Sequence, residues 1–205
     1  MTRVAVIGNA GGGKSTMCRK LGQALDIAVY PVDQIQWKPG WVRTAAEEFK
    51  QRHEEWLARE RWIIDGWGPW EAIEARFEAA DTIIFVDHPL RTHYWWAFKR
   101  QFKCLFRPRP DGPEGCPMLP MTRQLIKVIW EIHWSARPRL LRFVDTFRPS
   151  KRVLSLRSPK EMRQFIQTCC SDENEMPWLV CCEKAWRSYV TVSENTRFSL
   201  LRYSA

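Results

Sequence analysis

The sequence predicts an α/β protein in three layers, a five-stranded parallel sheet covered by helices on both faces. Three observations predict it. Short apolar runs alternate with amphipathic stretches along the chain, the pattern of repeated strand–helix–strand units. The first run, Val4-Ala5-Val6-Ile7, passes directly into Gly8-Asn9-Ala10-Gly11-Gly12-Gly13-Lys14-Ser15-Thr16. This is G-x-x-x-x-G-K-[ST] between a strand and a helix, the context in which that spacing makes a phosphate-binding loop (P-loop). Lastly, Gly8, Asp33, Asp65 and Asp87 fall at the carboxyl ends of predicted strands, where parallel sheets bind their ligands.

The residue types of the loop follow from its chemistry. Glycines permit φ > 0, so successive backbone N–H groups converge on a phosphate. The helix behind adds its positive N-terminal end. Lys14 reaches the β/γ oxygens as a point charge, and the Ser15 hydroxyl can ligate Mg²⁺. Residues 8 to 16 are therefore expected to bind a nucleoside triphosphate, ATP, with Lys14 also catalytic.

Each further element has its own signal. After the loop, Met17, Cys18, Leu21, Ala24 and Leu25 line one face of a helix. Residues 28 to 32 form a short second strand ending at Asp33, and Pro39-Gly40 turns the chain. Thr44-x-x-Glu47 is a capping box opening a helix with Phe49, Trp56 and Leu57 inward. Trp62-Ile63-Ile64-Asp65 is the third strand, closed by Gly66, Gly68 and Pro69. A helix over residues 70 to 79 leads to the fourth strand, Thr82-Ile83-Ile84-Phe85-Val86. A long basic helix follows, then the loop Arg107-Pro108-Arg109-Pro110-Asp111-Gly112-Pro113 and helical stretches around 125 to 134 and 139 to 147. Residues 152 to 156 make the fifth strand. Ser158-Pro159-Lys160-Glu161 caps the last helix, with Ser at N-cap, Pro at N1 and Glu at N3.

Bulk properties bound the partners. At 205 residues the chain suits one domain with a proper core, or one domain plus an appendage. No apolar run approaches the roughly 18 residues of a membrane span, and no signal-peptide pattern opens the chain. Seven Cys, an odd number, fit reduced thiols. These points favour the cytoplasm and no membrane partner. A net charge of +9 fits a duplex-binding face, a pocket for substrate phosphates, or a solvated basic surface. Twelve Trp supply core or interface area, or stack on bases.

Asp65 ends an apolar strand where a P-loop enzyme holds Mg²⁺, with Ser15 as the second metal residue; a strand-end turn is the plainer role. Asp33 could orient an acceptor hydroxyl, act as general base, share the metal, or be a turn residue. Lys99, Arg100, Lys103, Arg107 and Arg109 surround the Pro/Gly loop, with Arg123, Arg137, Arg139 and Arg142 beyond it. A lid over about residues 99 to 142 is expected to bring some of them, Arg100, Arg107 and Arg109 first, onto the transferring phosphoryl group. Trp37 and Trp41 flank Pro39-Gly40 and could wall an acceptor site or cover core. His53, His88, His93 and His133 show no metal spacing and receive no role.

The order of these parts resembles the adenylate kinase-like group of P-loop proteins, in which a strand ends in Asp-Gly as Asp65-Gly66 does here. A closer resemblance is to a small bacterial family called DNA topology modulation proteins. Its pattern is a P-loop, then Leu/Val-Asp-x-x-x-Trp-x-x-Gly-Trp, then Trp-Ile-Ile-Asp-Gly, then an Arg-rich segment with Arg-Pro-x-x-x-Glu-Gly-Cys-Pro. This chain has Val32-Asp33-Gln34-Ile35-Gln36-Trp37-Lys38-Pro39-Gly40-Trp41, then Trp62 to Gly66, then Arg109-Pro110-Asp111-Gly112-Pro113-Glu114-Gly115-Cys116-Pro117. The resemblance covers about residues 1 to 168 and implies the five-stranded sheet, a mobile lid, ATP and Mg²⁺. It names no acceptor. Adenylate kinases follow Asp-Gly with aromatic-Pro-Arg, whose Arg meets the monophosphate, whereas here Trp67-Gly68-Pro69-Trp70 follows, which argues against AMP.

Residues 169 to 205 extend past that pattern. Cys169-Cys170 and Cys181-Cys182 could bind zinc, though adjacent pairs lack the usual spacing; an extension packed through Trp178, Leu179, Val180 and Trp186 is the other reading. The function expected is Mg²⁺-dependent phosphoryl transfer from ATP to a nucleotide or other small molecule. The alternatives are an ATP-dependent nucleic-acid-binding regulator, with DNA facing the basic excess, and a simple NTPase.

Overall fold

A computed structural model describes residues 1 to 106 and 112 to 170. Arg107, Arg109 and the extension from 171 onward lie outside the described residues. In chain order, β1 (Arg3–Gly8) leads through the glycine loop to α1 (Lys14–Leu25) and β2 (Val29–Pro31). A single turn, α2 (Asp33–Gln36), precedes a hairpin of β3 (Trp37–Lys38) and β4 (Val42–Arg43). Then come α3 (Ala46–Leu57), β5 (Trp62–Asp65), α4 (Trp70–Ala79), β6 (Thr82–Val86) and α5 (Leu90–Cys104). The described residues end with α6 (Thr122–Glu131), α7 (Arg137–Thr146), β7 (Arg152–Leu156) and α8 (Pro159–Cys170).

The main sheet is five-stranded and parallel, in the order β2-β5-β1-β6-β7. β1 is central, paired with β5 on one side (Val6 opposite Asp65) and β6 on the other (Gly8 opposite Val86). Its apolar run is continuous because both faces are covered. Val4 and Val6 face a core with Met17 and Leu21 of α1 and Phe165 of α8. Ala5 and Ile7 face the opposite core, with Phe49 of α3, Ile73 and Phe77 of α4, and Leu140 and Val144 of α7. Alternation of period 2 thus feeds two helical layers from one strand. This is the three-layer α/β P-loop fold that the sequence predicts.

Four local expectations are corrected. Asp33 does not end a strand but opens α2. Residues 37 to 43 form a two-stranded antiparallel hairpin rather than a bare turn, and its register is too short to leave a period in the sequence. Thr44 does not cap α3, which starts at Ala46 behind Ala45 without a side-chain cap. The Thr44 N–H instead donates to Gln36 O (3.1 Å), so the backbone there still follows the hairpin. Residues 122 to 146 form one rod, with α6 and α7 joined by a π turn (Ile132–Ala136). At its end the Arg137 N–H bonds Ile132 O, and Pro138 has no N–H to continue the ladder. Half of the predicted α8 capping box forms: the Glu161 N–H donates to Ser158 Oγ (3.2 Å), while Glu161 Oε2 accepts from the Arg157 N–H, one residue before the predicted N-cap (2.8 Å).

Candidate active site

The candidate site lies at the carboxyl ends of β1, β5 and β2. Gly11 (φ 69°) and Gly13 (φ 76°) hold the left-handed conformation a phosphate-binding turn requires. A second constraint acts on both. A Cβ on Gly11 would sit 2.5 Å from His93 O, and one on Gly13 would sit 2.4 Å from the Trp96 ring. The glycines therefore let the loop bend and let α5 pack directly beneath it. Gly13→Ala should cost about 2–4 kcal/mol of stability, combining left-handed strain with overpacking. Denaturant unfolding measures it, and a loss below 1 kcal/mol would mean that Trp96 moves aside freely.

Three side chains brace the loop, Trp67 and His93 from outside it and Asn9 from within. The Trp67 Nε1–H donates to Gly8 O (2.8 Å). His93 Nδ1 lies 3.0 Å from Ala10 O, an N–H···O bond once that nitrogen carries the proton. Asn9 Nδ2 donates to Ile129 O of α6 (2.8 Å), while its Oδ1 accepts from the Ala10 N–H (2.7 Å). The assignment of no role to the histidines is thus incomplete: His93 positions the loop. Motif spacing could not find it, since its partner is a backbone carbonyl 83 residues away.

Lys14 Nζ donates to Asn9 O (3.0 Å). Burial lowers the Lys14 pKa below the ordinary lysine value, Asp65 and then Asp33 pull it back up, and Arg100 lowers it further. Those couplings bring Lys14, Asp65, Asp33 and Arg100 into one electrostatic neighbourhood although β5, α2 and α5 supply the last three. The Ser15 hydroxyl donates to Asp65 Oδ2 (2.9 Å), and Asp65 is buried. Beneath it lies Arg76 of α4, fully buried; burial lowers its pKa to about 10 while attraction to Asp65 partly offsets this. A serine hydroxyl paired with a buried carboxylate at a P-loop is a hard-oxygen donor set that fits Mg²⁺, which keeps most of its waters.

Other basic residues are committed elsewhere. Arg137 makes a bidentate ion pair with Asp87 (2.5 and 2.8 Å), so the strand-end Asp87 anchors the rod of α6 and α7 to the sheet. Arg139 stacks on Trp70 with its guanidinium carbon 3.8 Å from the ring centre.

Trp37 and Trp41 meet edge to face on the hairpin, centroids 5.7 Å apart. Neither belongs to the two core clusters. Two of the sequence motifs meet here. The Trp41 Nε1–H donates to Pro117 O (2.9 Å), the Gly40 N–H to Gly115 O (2.9 Å), and the Cys116 Sγ–H to Lys38 O (3.2 Å). The hairpin tip is thus closed against residues 115 to 117.

His53 and His93 are both buried, and burial first, with nearby cations next, pushes each down to about 4. The folded protein therefore binds these protons more weakly than the unfolded chain does, whose imidazoles titrate near 6.5. As pH falls from about 6.5 to about 4, the unfolded state takes up protons that the native state refuses. Stability should fall by up to about 3 kcal/mol per histidine. Denaturant unfolding at pH 7 and pH 4.5 checks this: His53→Leu should show the smaller pH dependence, and an equal dependence would exclude His53 as a contributor.

Cys169 and Cys170 continue α8, the first buried in the core and the second exposed; Cys181 and Cys182 lie outside the described residues. Among the described residues no three His, Cys, Asp or Glu gather as a metal site, and no helix is long and apolar enough to cross a membrane.

Fold and loop together define a P-loop α/β protein. By sequence, no family model and no curated protein matches the chain. By structure, the chain is similar to shikimate kinase from Acinetobacter baumannii in complex with shikimate, at 15% identity over 85% of this chain and 96% of that one, TM-score 0.46. It is also similar to an unliganded sugar kinase from a Janibacter species, at 13% identity over 92% of this chain and 96% of that one, TM-score 0.45. Both are likenesses of fold.

Proposed function

We propose that this protein is a Mg²⁺-dependent phosphotransferase that moves the γ-phosphoryl group of ATP to the hydroxyl or phosphate of a small molecule. One observation carries the reading: Ser15 hydrogen-bonded to buried Asp65, under a loop whose Lys14 feels Asp65, Asp33 and Arg100 together. Residues 8 to 16 would bind the triphosphate through backbone N–H groups and Lys14. Ser15 and Asp65 would hold Mg²⁺, which when bound offsets charge on the phosphate oxygens. Arg100, and Arg107 and Arg109 from the adjoining loop, would oppose the charge that develops on the transferring group. Asp33 would orient the acceptor and take the proton of its hydroxyl, with Trp37 and Trp41 walling the acceptor. On this reading the hairpin closed on residues 115 to 117 would limit water, which would otherwise hydrolyse ATP.

The test is ADP formation across a panel of nucleotides, nucleosides and hydroxylated metabolites, with and without duplex DNA. One acceptor class should raise ADP formation above the acceptor-free rate; a rate indifferent to every acceptor would mean a simple NTPase. Duplex binding should be no tighter than about micromolar at physiological salt and should fall steeply as salt rises. Salt-resistant, sequence-selective binding that survives loss of Lys14 would favour the nucleic-acid regulator instead. Arg137 and Arg139 are engaged by Asp87 and Trp70.

A further inference from the structure

The outer side of α5 carries an aromatic row. Trp95, Phe98, Phe102, Leu105 and Phe106 are each between 55% and 75% exposed. Their spacing sets them on one face; Trp95 stacks on Phe98 (centroids 6.2 Å), and Phe102 meets Phe106 edge to face (5.6 Å). Aromatic side chains offer roughly 150–250 Å² each, so the row exceeds the few hundred Å² that a soluble surface ordinarily leaves open. Arg91, Lys99 and Lys103 edge it, Lys99 lying 4.8 Å over the Trp95 ring. From residue 90 to 106 there is no Asp or Glu at all.

The segment just beyond α8 has the opposite character. Residues 171 to 183 carry Asp172, Glu173, Glu175 and Glu183 with no Lys or Arg, around the apolar run Trp178-Leu179-Val180. Its root is close to α5: Trp96 of α5 packs against the core cluster that holds Phe165 and Cys169 of α8. The eight steps from Cys170 to Trp178 span up to about 27 Å, and α5 itself is about 22 Å long. A second copy of this chain fits worse, since it would set one cationic row against another.

We propose that residues 171 to 186 fold back over α5, with Trp178, Leu179 and Val180 covering the aromatic row and Asp172, Glu173 and Glu175 meeting Lys99 and Lys103. In the full-length protein, zero-length carbodiimide cross-linking should join Lys99 or Lys103 to Asp172, Glu173 or Glu175 within the monomer. Lys99→Glu with Lys103→Glu should raise binding of a hydrophobic dye several-fold. Adding Glu173→Lys and Glu175→Lys should bring it back within about twofold of the parent and restore the cross-links with reversed polarity. The proposal is overturned if the parent gives no such links, or if they occur only in covalent dimers, which would indicate a second copy. It is equally overturned if the fourfold variant, melting as the parent does, stays dye-bound. Binding of the parent to phosphatidylglycerol vesicles, lost on Lys99→Glu with Lys103→Glu, would assign the row to a lipid surface and overturn it too.

Discussion

Lys14→Ala is expected to reduce ATP turnover by a hundredfold or more, the range seen when one preorganised charge is removed from a developing oxyanion. The fold should survive intact. Burial already holds the Lys14 ammonium below its ordinary pKa, so its charge is a cost to the free protein that a bound phosphate would relieve. Removing it should leave thermal stability unchanged or slightly higher, as happens when a strained functional group is lost. Calorimetric titration with Mg·ATP beside a melting curve separates the two effects. A variant that binds Mg·ATP as well as the parent would remove the central assignment of residues 8 to 16.

Asp65→Asn and Asp33→Asn are expected to fail in different ways. Asp65 is buried and accepts the Ser15 hydroxyl at 2.9 Å. Asn preserves its shape and removes its charge, so binding should lose its Mg²⁺ dependence and turnover should fall by about 10²–10³ whichever acceptor is used. Asp33, partly exposed on α2, acts on Lys14 more weakly than Asp65 does. Its loss should fall on acceptor use, leaving ATP affinity within about twofold. Equal loss of Mg·ATP binding in both variants would make Asp33 a metal residue and erase the division.

The comparison of these two aspartates shows what local sequence could carry. Both end short apolar runs; Asp65-Gly66 pointed to a metal role, whereas the neighbours of Asp33 left its role open. The difference is made by β5 lying beside β1, which sets Asp65 opposite Val6 and next to the loop, while β2 is the edge strand one position further out. Arg76 illustrates the same limit. Along the chain it reads as one charge on an amphipathic helix, whereas the fold buries it near Asp65.

What the sequence determined by itself is whatever local physics controls. The glycine spacing of residues 8 to 13, the period-2 and continuous apolar strands, and the Ser158–Glu161 box each depend on backbone conformation and near neighbours. These predicted the five strands and their order of appearance, the P-loop, and the last helix. Tertiary structure decided which distant groups meet: His93 on Ala10, Asn9 on Ile129, Asp87 on Arg137, and the hairpin tip on residues 115 to 117. Such contacts join residues 50 to 120 positions apart. They form because burial obliges each polar group to find a partner wherever packing brings one, and no local pattern in the chain encodes that choice.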